Sequence, residues 1–367
     1  MPLRQEFIHC IFFKAEQYKR TFMTQANNDR LKLASLWLFA IGCSSILNVA
    51  SADLPTGEDV LNRLGIPQAQ LGDLNQGKPI TWKYPENSDK ELAVGVAIYL
   101  PTPLSKVIAY VKKGDFAGID STVTTRGTIP ENVNAGTFKR FAISGDEAQE
   151  LLGVEAGGKF NLSAEEIASF AGLKTSLASA DKNTVAQTVS QRYREILLQR
   201  YQAYRQGGLT GIAPYARGGS DQADPSSELR TATEQGNLLV KIAFPELYQA
   251  WLNYPQTLPA DAKEEFSWQN RVVEDRPTAT LTHSLIQTSD SGAVIVVRQF
   301  YVGHSYNSSQ LLAGCLPYRE GAIVFYALRS STDQVAGMGS GLKHSIGRDR
   351  MKAEMVKQLQ RLRTIVK

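Results

Sequence analysis

The chain has 367 residues, of which 43% are hydrophobic and 21% charged, and this composition suits a globular protein with one large or two modest cores. Residues 1–52 carry six Lys and Arg against three Asp and Glu, and the remaining residues carry 34 against 33. The net charge of +4 therefore belongs mostly to the first 52 residues. The balanced remainder gives no basis for nucleic-acid binding through a basic surface.

The first 52 residues have the pattern of a secretory signal peptide. Arg30 and Lys32 precede an apolar run at 33–41, and small residues lead up to Ala52, as they do at a signal cleavage site. Cleavage after Ala52 is expected, with export to the periplasm or secretion from the cell. An uncleaved membrane anchor is the alternative, but glycine and polar residues interrupt the run, which is short for a span of about 20 residues.

Single residues add two further interpretations of this segment. Met23 gives a signal peptide of conventional length and is the expected true start of the protein. Cys43 offers another export route, in which this cysteine is acylated and the protein becomes a lipoprotein. If the chain is cut after Ala52, Cys315 is its one remaining cysteine. The mature chain would then lack an internal disulfide and depend on its hydrophobic core for stability.

Residues 53–144 are predicted to form the N-terminal strand–helix part of an α+β domain. After a lead-in without clear periodicity, alternating apolar residues predict a strand at 91–100 with one buried face. Thr102 and Pro103 suit the cap and the first position of a helix over 104–111. Two shorter strands are predicted after this helix, at 121–129 and 137–143.

Residues 145–260 are predicted to form a helical insertion or subdomain. Their apolar residues recur at helical spacing, and the pair Gly207 and Gly208 ends the longest segment. A loop at 210–225, rich in glycine and proline, is expected to lie at the surface. The predicted helices are 146–152, 163–171, 184–206, 226–243 and 246–253.

Residues 261–367 are predicted to complete the α+β domain with an antiparallel sheet and a C-terminal helix. Short turn signals separate five runs of strand period, so neighbouring runs are expected to pair as an antiparallel meander. The closing helix is predicted from about 341 to 366, with one apolar stripe. The strands are predicted at 264–273, 278–288, 293–302, 310–316 and 322–329, and the stripe consists of Met351, Met355, Leu359 and Leu362.

The order of these elements resembles the helix-grip architecture of START-like lipid-binding domains. The resemblance rests on residues 91–111 and 264–367, and it lies in element order alone. It implies an antiparallel meander that grips a long C-terminal helix and encloses a cavity lined by alternate strand residues. A lipid or another hydrophobic small molecule is the implied cargo, bound without catalysis. The insertion at 145–260 departs from the compact family pattern, and would either roof this cavity or fill it.

Two candidate ligand residues lie on predicted inward faces of strands. His283 is in register with Leu281 and Leu285, and it would either orient a polar head group or serve as a structural histidine. Arg298 stands in register with Val296, and a charge among apolar neighbours needs a partner. It would either anchor the anionic group of a ligand or lie on an exposed face of its strand.

A second group of candidates is aromatic and imidazole-bearing. Tyr301, His304 and Tyr306 concentrate at the end of a predicted strand and in the turn after it. Such side chains would line the mouth of a ligand pocket. The alternative is a turn that packs against its own aromatic rings, which would have the same composition.

The third group is Lys343, His344 and Arg348, at the start of the closing helix. Three alternating glycines precede it, but their spacing matches neither nucleotide fingerprint, and they follow an antiparallel meander and not a βαβ unit. Cations at a helix N-terminus oppose the helix dipole unless an anion lies nearby. Either a lipid head group or an acidic side chain is therefore expected to meet these three residues.

Motifs of catalysis and metal binding are scarce. The chain has no Cys-x-x-Cys, His-Glu-x-x-His, Walker or Gly-x-Ser-x-Gly motif, so neither a metal nor a cofactor is expected. A serine hydrolase using Ser340 and His304 is one alternative function, because triads assemble in space. Another is an interaction or structural protein of the cell envelope, in which the helical insertion docks a partner. Contact with a membrane surface is a further alternative.

Overall fold

The computed structural model describes residues 56–63, 66–114, 120–236 and 238–366. All of them belong to one unit of mutually contacting residues. The predicted signal peptide, its start at Met23 and the lipoprotein cysteine Cys43 lie outside the described residues. Among the helices of the described ranges, none is both long enough and apolar enough to cross a membrane.

The centre of the fold is an eight-stranded sheet with the strand order β1–β2–β10–β9–β8–β7–β6–β3. Every neighbouring pair is antiparallel. This confirms the predicted α+β class with an antiparallel meander. The strands are β1 Ile80–Lys83, β2 Glu91–Leu100, β3 Val123–Ile129, β6 Ala262–Val273, β7 Arg276–Ser289, β8 Gly292–Val302, β9 Ser308–Tyr318 and β10 Gly321–Ser331, and a separate hairpin pairs β4 Tyr215–Gly218 with β5 Asp221–Ala223.

Ten α-helices are described along with these strands. The long C-terminal helix and the helical insertion are both confirmed. The helices are α1 Gly57–Arg63, α2 Gln68–Asn75, α3 Leu104–Lys113, α4 Gly145–Leu152, α5 Ala164–Ser176, α6 Lys182–Gly207, α7 Pro225–Gly236, α8 Leu238–Ala243, α9 Pro245–Leu252 and α10 Ser340–Ile365. We refer to α4–α9 with the β4–β5 hairpin as the helical block.

One face of the sheet, which we call the α10 face, carries α3 and α10. α10 packs chiefly along β2, and α3 lies across β7–β10. Alternate residues of β2 and β7–β10 form a core with both helices. The helices contribute Val107, Ile108 and Val111 from α3, and Met355, Leu359 and Leu362 from α10, so three of the four residues of the predicted apolar stripe are fully buried.

The opposite face, which we call the block face, is covered by α1, α2 and the helical block. One core joins the block to β3, β6, β7 and β8, and a second joins α1, α2, α8 and α9 to β1, β2, β9 and β10. Arg200 of α6 forms two hydrogen bonds with Glu166 of α5, at 2.7 and 2.6 Å, and its guanidinium lies 4.4 Å from the ring of Tyr301 on β8. The insertion is therefore a layer of the sheet's own core.

Several local predictions were wrong for identifiable reasons. No strand forms at 137–143, because Asn134 caps a 3₁₀ helix at Ala135–Phe138. β2 is buried on both faces and not on one, since Ala93 and Ala97 point into the layer opposite α10. Pro103, and not Thr102, occupies the cap position of α3. The predicted helix 226–243 is two helices, α7 and α8, and the loop at 210–225 contains the β4–β5 hairpin.

The turn after α6 requires glycine. Gly208 has a φ of 56°, and a Cβ atom there would lie 1.8 Å from the carbonyl oxygen of Tyr254. Only a residue without a side chain allows the end of α6 to approach the segment that leads into β6. The predicted helix stop at Gly207–Gly208 is thus confirmed, and the close approach brings α6 against Tyr254.

Candidate functional site

The eight predicted ligand residues are distributed over three places in the structure. His283, Arg298 and Tyr301 lie on the block face, beneath the helical block; His304 and Tyr306 lie in the β8–β9 connection; Lys343, His344 and Arg348 lie in the first turns of α10. They do not converge on one cavity.

Arg298 is completely buried between β8 and the helical block. It donates hydrogen bonds to the hydroxyl of Tyr204 at 2.9 Å, to that of Thr233 at 3.1 Å and to the backbone oxygen of Trp251 at 3.2 Å. Its guanidinium lies 4.2 Å from the centroid of the Trp251 ring. No carboxylate of the described residues lies within ion-pair distance of Arg298, so neutral oxygens and an aromatic face stabilise its charge.

His283 is the cross-strand neighbour of Arg298 and is equally buried. Its Nδ1 lies 3.0 Å from the hydroxyl of Tyr204, and its Nε2 lies 3.1 Å from Oε1 of Glu264 in an alignment too poor for a directed hydrogen bond. Because Tyr204 accepts from Arg298, its own hydrogen points to Nδ1, which leaves the imidazole hydrogen on Nε2. Burial lowers the pKa of His283 to about 4, so the ring is neutral at pH 7.

Glu264 connects this network to the surface. Its Oε2 accepts a hydrogen bond from Arg205 at 2.7 Å, and Arg205 also donates to the hydroxyl of Tyr254. Burial acts to raise the pKa of Glu264, but the contacts with His283 and Arg205 outweigh burial and lower it. Since His283 is neutral above pH 4 or so, Arg205 supplies the compensating charge at neutral pH.

An open depression of about 460 Å³ lies outside this network, at the connection between α9 and β6, and is lined by Arg205, Tyr254, Pro255, Gln256, Leu258 and Glu264. A neighbouring depression of about 420 Å³ shares Gln256 and Leu258. Glu264 and Tyr254 separate the first depression from His283. The polar atoms of His283 and Arg298 therefore face protein groups, and this arrangement holds the helical block on the sheet.

Tyr301 is also part of the packing between block and sheet. Its hydroxyl lies 2.7 Å from that of Tyr193 on α6, and the Arg200 guanidinium lies over its ring. Burial raises the pKa of Tyr301 well above its usual value, which keeps the phenol neutral. Like His283 and Arg298, Tyr301 contacts the block and not the space beside α10.

The cations at the start of α10 meet an acidic side chain. Glu86, from the β1–β2 connection, lies 2.8 Å from Nδ1 of His344 and accepts hydrogen bonds of 2.9 Å from Arg348. The Nε2 of His344 lies 2.9 Å from the backbone oxygen of Asp89, and Lys343 donates to the backbone oxygen of Ala336. Glu86 is thus the acidic side chain that meets His344 and Arg348 near the helix N-terminus, whereas Lys343 does not contact it.

His304 is held by the end of β7. Its Nε2 lies 2.6 Å from the backbone oxygen of Pro277, and its Nδ1 lies 2.7 Å from the Ser305 hydroxyl. Thr278 contacts the ring as well, at 3.2 Å. Burial lowers the pKa of His304 to about 4. Neither ring nitrogen is directed at Ser340, so the nucleophile–base pair of a serine hydrolase is not formed.

Tyr306 reaches back from the β8–β9 connection onto the α10 face. Its hydroxyl donates to Oε1 of Gln299 on β8 at 2.8 Å, and it also interacts with Arg271 on β6. Gln299 stands opposite Thr282 and Arg271 stands opposite Thr278, so the Tyr306 hydroxyl lies over β7, which runs between those strands. Of the eight candidates, Tyr306 is the one placed on this face of β7.

Beside Tyr306, neither α3 nor α10 fully covers the α10 face of the sheet, and we call this partly uncovered strip the α10 groove. Its floor is the middle of the sheet, where four apolar side chains that point to α10 are only half-buried: Ile295 and Val297 of β8, Leu311 of β9 and Leu328 of β10. The groove exists because α10 follows β2 at one side of the sheet while α3 covers only one end of β7–β10. Central strands would otherwise be the best covered part of such a sheet.

The end of the groove near Tyr306 is polar. The hydroxyls of Thr280, which is 0% exposed, and Thr282, which is 5% exposed, have no hydrogen-bond partner among the described residues. Arg271 stands opposite the neighbouring Thr278, pairs with Asp120 at 3.0 Å, and has an unpartnered Nε. Buried polar atoms are nearly always hydrogen-bonded in native proteins, so these two unpaired hydroxyls on one face of β7 are unusual.

The first turns of α10 form one rim of the groove. Leu342, Ile346 and Arg350 are spaced four residues apart and share one side of the helix. Arg350 pairs with Glu274 in the β6–β7 turn at 3.4 Å, which shows that this side faces β6 and β7 across the groove. Leu342 and Ile346 are both exposed, and they add apolar surface at the entrance.

Thr280, Thr282, Val297 and Gln299 are groove residues that the sequence analysis did not select. A signal for them exists, because Thr278, Thr280, Thr282 and Ser284 form a hydroxyl row at strand period. The row suggests a solvent-facing strand face, whereas the structure places its first three members in a buried position.

Acidification from pH 6.5 to 4 is expected to destabilise the fold through His283 and His304. Their pKa values of about 4 in the folded state lie below the ordinary 6.5, so the unfolded state binds more protons in this range. The stability that the neutral rings contribute is complete above pH 6.5 and is lost as the pH falls to 4. Chemical unfolding should show a loss of about 1–3 kcal/mol per pH unit. His304→Asn should roughly halve this slope, and a constant free energy of unfolding over the range would contradict the assignment.

Within the described ranges, no group of three or more His, Cys, Asp and Glu side chains is arranged to hold a metal ion. Cys315 is buried, and burial raises the pKa of its thiol to about 12, so it is not a reactive nucleophile. Comparison of the chain with protein-family models and with curated protein sequences finds no match.

Proposed function

We propose that this protein binds an amphipathic molecule of the lipid class in the α10 groove, without catalysis. The observation that carries the proposal is the incomplete covering of Ile295, Val297, Leu311 and Leu328 at the centre of an eight-stranded sheet. Apolar surface gains about 25 cal/mol per Å² when it leaves water. An apolar chain laid along these residues would complete the core that α3 and α10 leave open.

The polar end of the groove suits a ligand that has a hydrogen-bond acceptor at one end. Thr280 and Thr282 carry unpaired hydroxyls there, and Gln299, Tyr306 and Arg271 surround them. Donors of this kind bind carboxylate, carbonyl or phosphate oxygens. The ligand we propose therefore places its polar group near Thr282 and its apolar part along β8–β10.

The likeness in element order to START-like helix-grip domains supports this function, because it too implies a ligand between the sheet and the long C-terminal helix. Of the candidate residues from the sequence, Tyr306 belongs to the proposed site. His283, Arg298 and Tyr301 are replaced in it by Thr280, Thr282 and Gln299. The signal-like segment before Asp53 supports a periplasmic or secreted location for this binding activity.

A tryptophan in the floor of the groove tests the proposal. Val297 is half-buried, so Val297→Trp should fold while its indole occupies the space of the ligand. The delipidated protein should bind cis-parinaric acid, a fluorescent fatty acid, with one site per chain, and Val297→Trp should weaken this binding at least about tenfold. Native mass spectrometry of the protein before delipidation should show a bound small molecule.

Ile242→Trp is the matched control, because Ile242 is an exposed apolar residue of α8, on the other side of the sheet. It should bind the fatty acid as the unmodified protein does. If neither the unmodified protein nor the control binds the probe, or if all three proteins bind it equally, the groove is not the ligand site.

A further inference from the structure

Two helices on one face of the sheet are strongly basic. α3 and α10, which lie on the same face, carry ten Lys and Arg against two acidic residues. The rest of residues 53–367 carries 24 basic against 31 acidic residues. A chain that is nearly neutral after residue 52 therefore has two strongly basic helices on one face, and the excess of acidic residues lies outside these helices.

Several of these cations are available to an external partner. Lys106, Lys112 and Lys113 of α3 are exposed, and no ion pair involving them is found in the part of the chain that the structure describes. Lys343 of α10 is exposed too, and its ammonium donates to the backbone oxygen of Ala336 without an ion pair to any described carboxylate. These lysines are not used to hold the fold together, so they remain able to bind an anionic surface.

The same face presents exposed apolar side chains at the start of α10. Met338 is 97% exposed, Leu342 is 70% exposed and Ile346 is 47% exposed. Met338 lies between Gly337 and Gly339, both with positive φ, in a turn that projects it from the helix start. Three large apolar side chains within nine residues, on a face with an excess of cations, have the composition of a surface that enters a bilayer interface.

We propose that the α10 face docks on an anionic lipid bilayer, with Met338, Leu342 and Ile346 entering the interface and the lysines of α3 and α10 contacting the head groups. The excess of cations on α3 and α10 turns this face toward the membrane, since basic residues near an anionic leaflet are attracted within about a Debye length. The groove opens beside Leu342 and Ile346, so docking places the proposed ligand site against the source of its ligand. The docking itself depends only on the surface residues and does not require that ligand.

Flotation with lipid vesicles tests the proposal. The protein from residue 53 onward should float with vesicles of phosphatidylcholine containing phosphatidylglycerol, and not with phosphatidylcholine alone. The pair Lys112→Glu and Lys113→Glu should lower the vesicle partition coefficient roughly 25-fold or more. Lys174→Glu with Lys182→Glu, on exposed lysines of α5 and α6, changes the net charge equally and should leave binding unchanged. Equal losses from the two pairs would overturn the proposal.

The apolar contribution has its own test. Met338→Ser with Leu342→Ser should weaken binding to the phosphatidylglycerol vesicles about tenfold or more, whereas Ile242→Ser should not. If sedimentation shows that Met338→Ser with Leu342→Ser instead dissociates a dimer, the patch is a contact between copies of the chain and the proposal fails. Val297→Trp should still bind vesicles, so failure of ligand binding and failure of membrane docking are distinguished.

Discussion

Replacing Tyr204 with phenylalanine is expected to lower the free energy of unfolding by about 3 kcal/mol, although only one oxygen is removed. The ring stacks 4.0 Å from that of Phe300, and phenylalanine keeps this contact. The hydroxyl, however, accepts from the buried cation Arg298 and contacts Nδ1 of His283. Its loss leaves Nδ1 of His283 and the Nη1 group of Arg298 without that partner in a buried place, although Arg298 keeps its bonds to Thr233 and Trp251. Guanidinium chloride unfolding followed by tryptophan fluorescence measures the change.

A double-mutant cycle shows whether this cost comes from the network. Arg298→Met removes the charge that Tyr204 stabilises, so Tyr204→Phe should cost about 2 kcal/mol less in that background. Tyr201→Phe is the control, because Tyr201 lies on the same helix and is buried but has no described hydrogen bond through its hydroxyl; it should cost under about 0.5 kcal/mol. Additive effects of Tyr204→Phe and Arg298→Met would show that the two residues are not coupled.

Removing the hydroxyls of the groove is expected to raise the free energy of unfolding, whereas Tyr204→Phe lowers it. Thr280→Val and Thr282→Val keep the shape of the side chain and replace a buried hydroxyl that has no protein partner. Each should raise the free energy of unfolding of the ligand-free protein by about 1 kcal/mol, because an unpaired polar atom leaves the interior. The same changes should weaken binding of cis-parinaric acid several-fold, since they remove donors from the polar end of the groove. Stability gained at the expense of binding is typical of a ligand site.

Thr278→Val is the matched control for this pair of changes. Thr278 lies on the same strand and points to the same face, but its hydroxyl contacts His304 and the backbone oxygen of Arg276. Its replacement should destabilise the protein by about 1 kcal/mol. If Thr280→Val and Thr282→Val destabilise the protein as Thr278→Val does, their hydroxyls have structural partners and do not mark a binding site.

The strands and the closing helix of this fold were predictable from local patterns. Each of the five strands from β6 to β10 was predicted within two residues of its observed ends, because apolar side chains alternate along them and turn residues separate them. α10 begins and ends one residue from its predicted bounds. At 137–143 the same logic failed, because the side-chain cap at Asn134 selects a 3₁₀ helix there.

The candidate site was predictable only in part. The alternation of side chains predicted an inward face for His283 and left Arg298 either inward or exposed, and the structure makes the two residues cross-strand neighbours on the block face. The covering of that face by Tyr204, Glu264 and Trp251 depends on where the helical block packs. No local sequence pattern predicts this packing, because these partners lie between 19 and 94 residues from His283 or Arg298 along the chain.

The distribution of charge over the surface also depends on which distant segments of the chain come together. By count, the chain after residue 52 is nearly neutral, which gave no basis for nucleic-acid binding through a basic surface. The structure brings α3 and α10 together on one face, although more than 200 residues separate them, and their cations then form one basic surface. A net charge is a sum, whereas a partner that approaches one side of a molecule responds to how that charge is distributed.

By itself, the sequence determined the strands of the meander, the amphipathic closing helix, the helical nature of the insertion and the absence of the common catalytic motifs. These properties follow from side-chain period and spacing over short stretches. Only the tertiary structure decided that the helical block covers the face of His283 and Arg298, and that α10 leaves a groove over the other. It decided as well that Glu86 meets the cations of α10. Each of these results depends on which surfaces, distant along the chain, pack together to bury apolar area. This packing depends on interactions throughout the chain and not on any short segment.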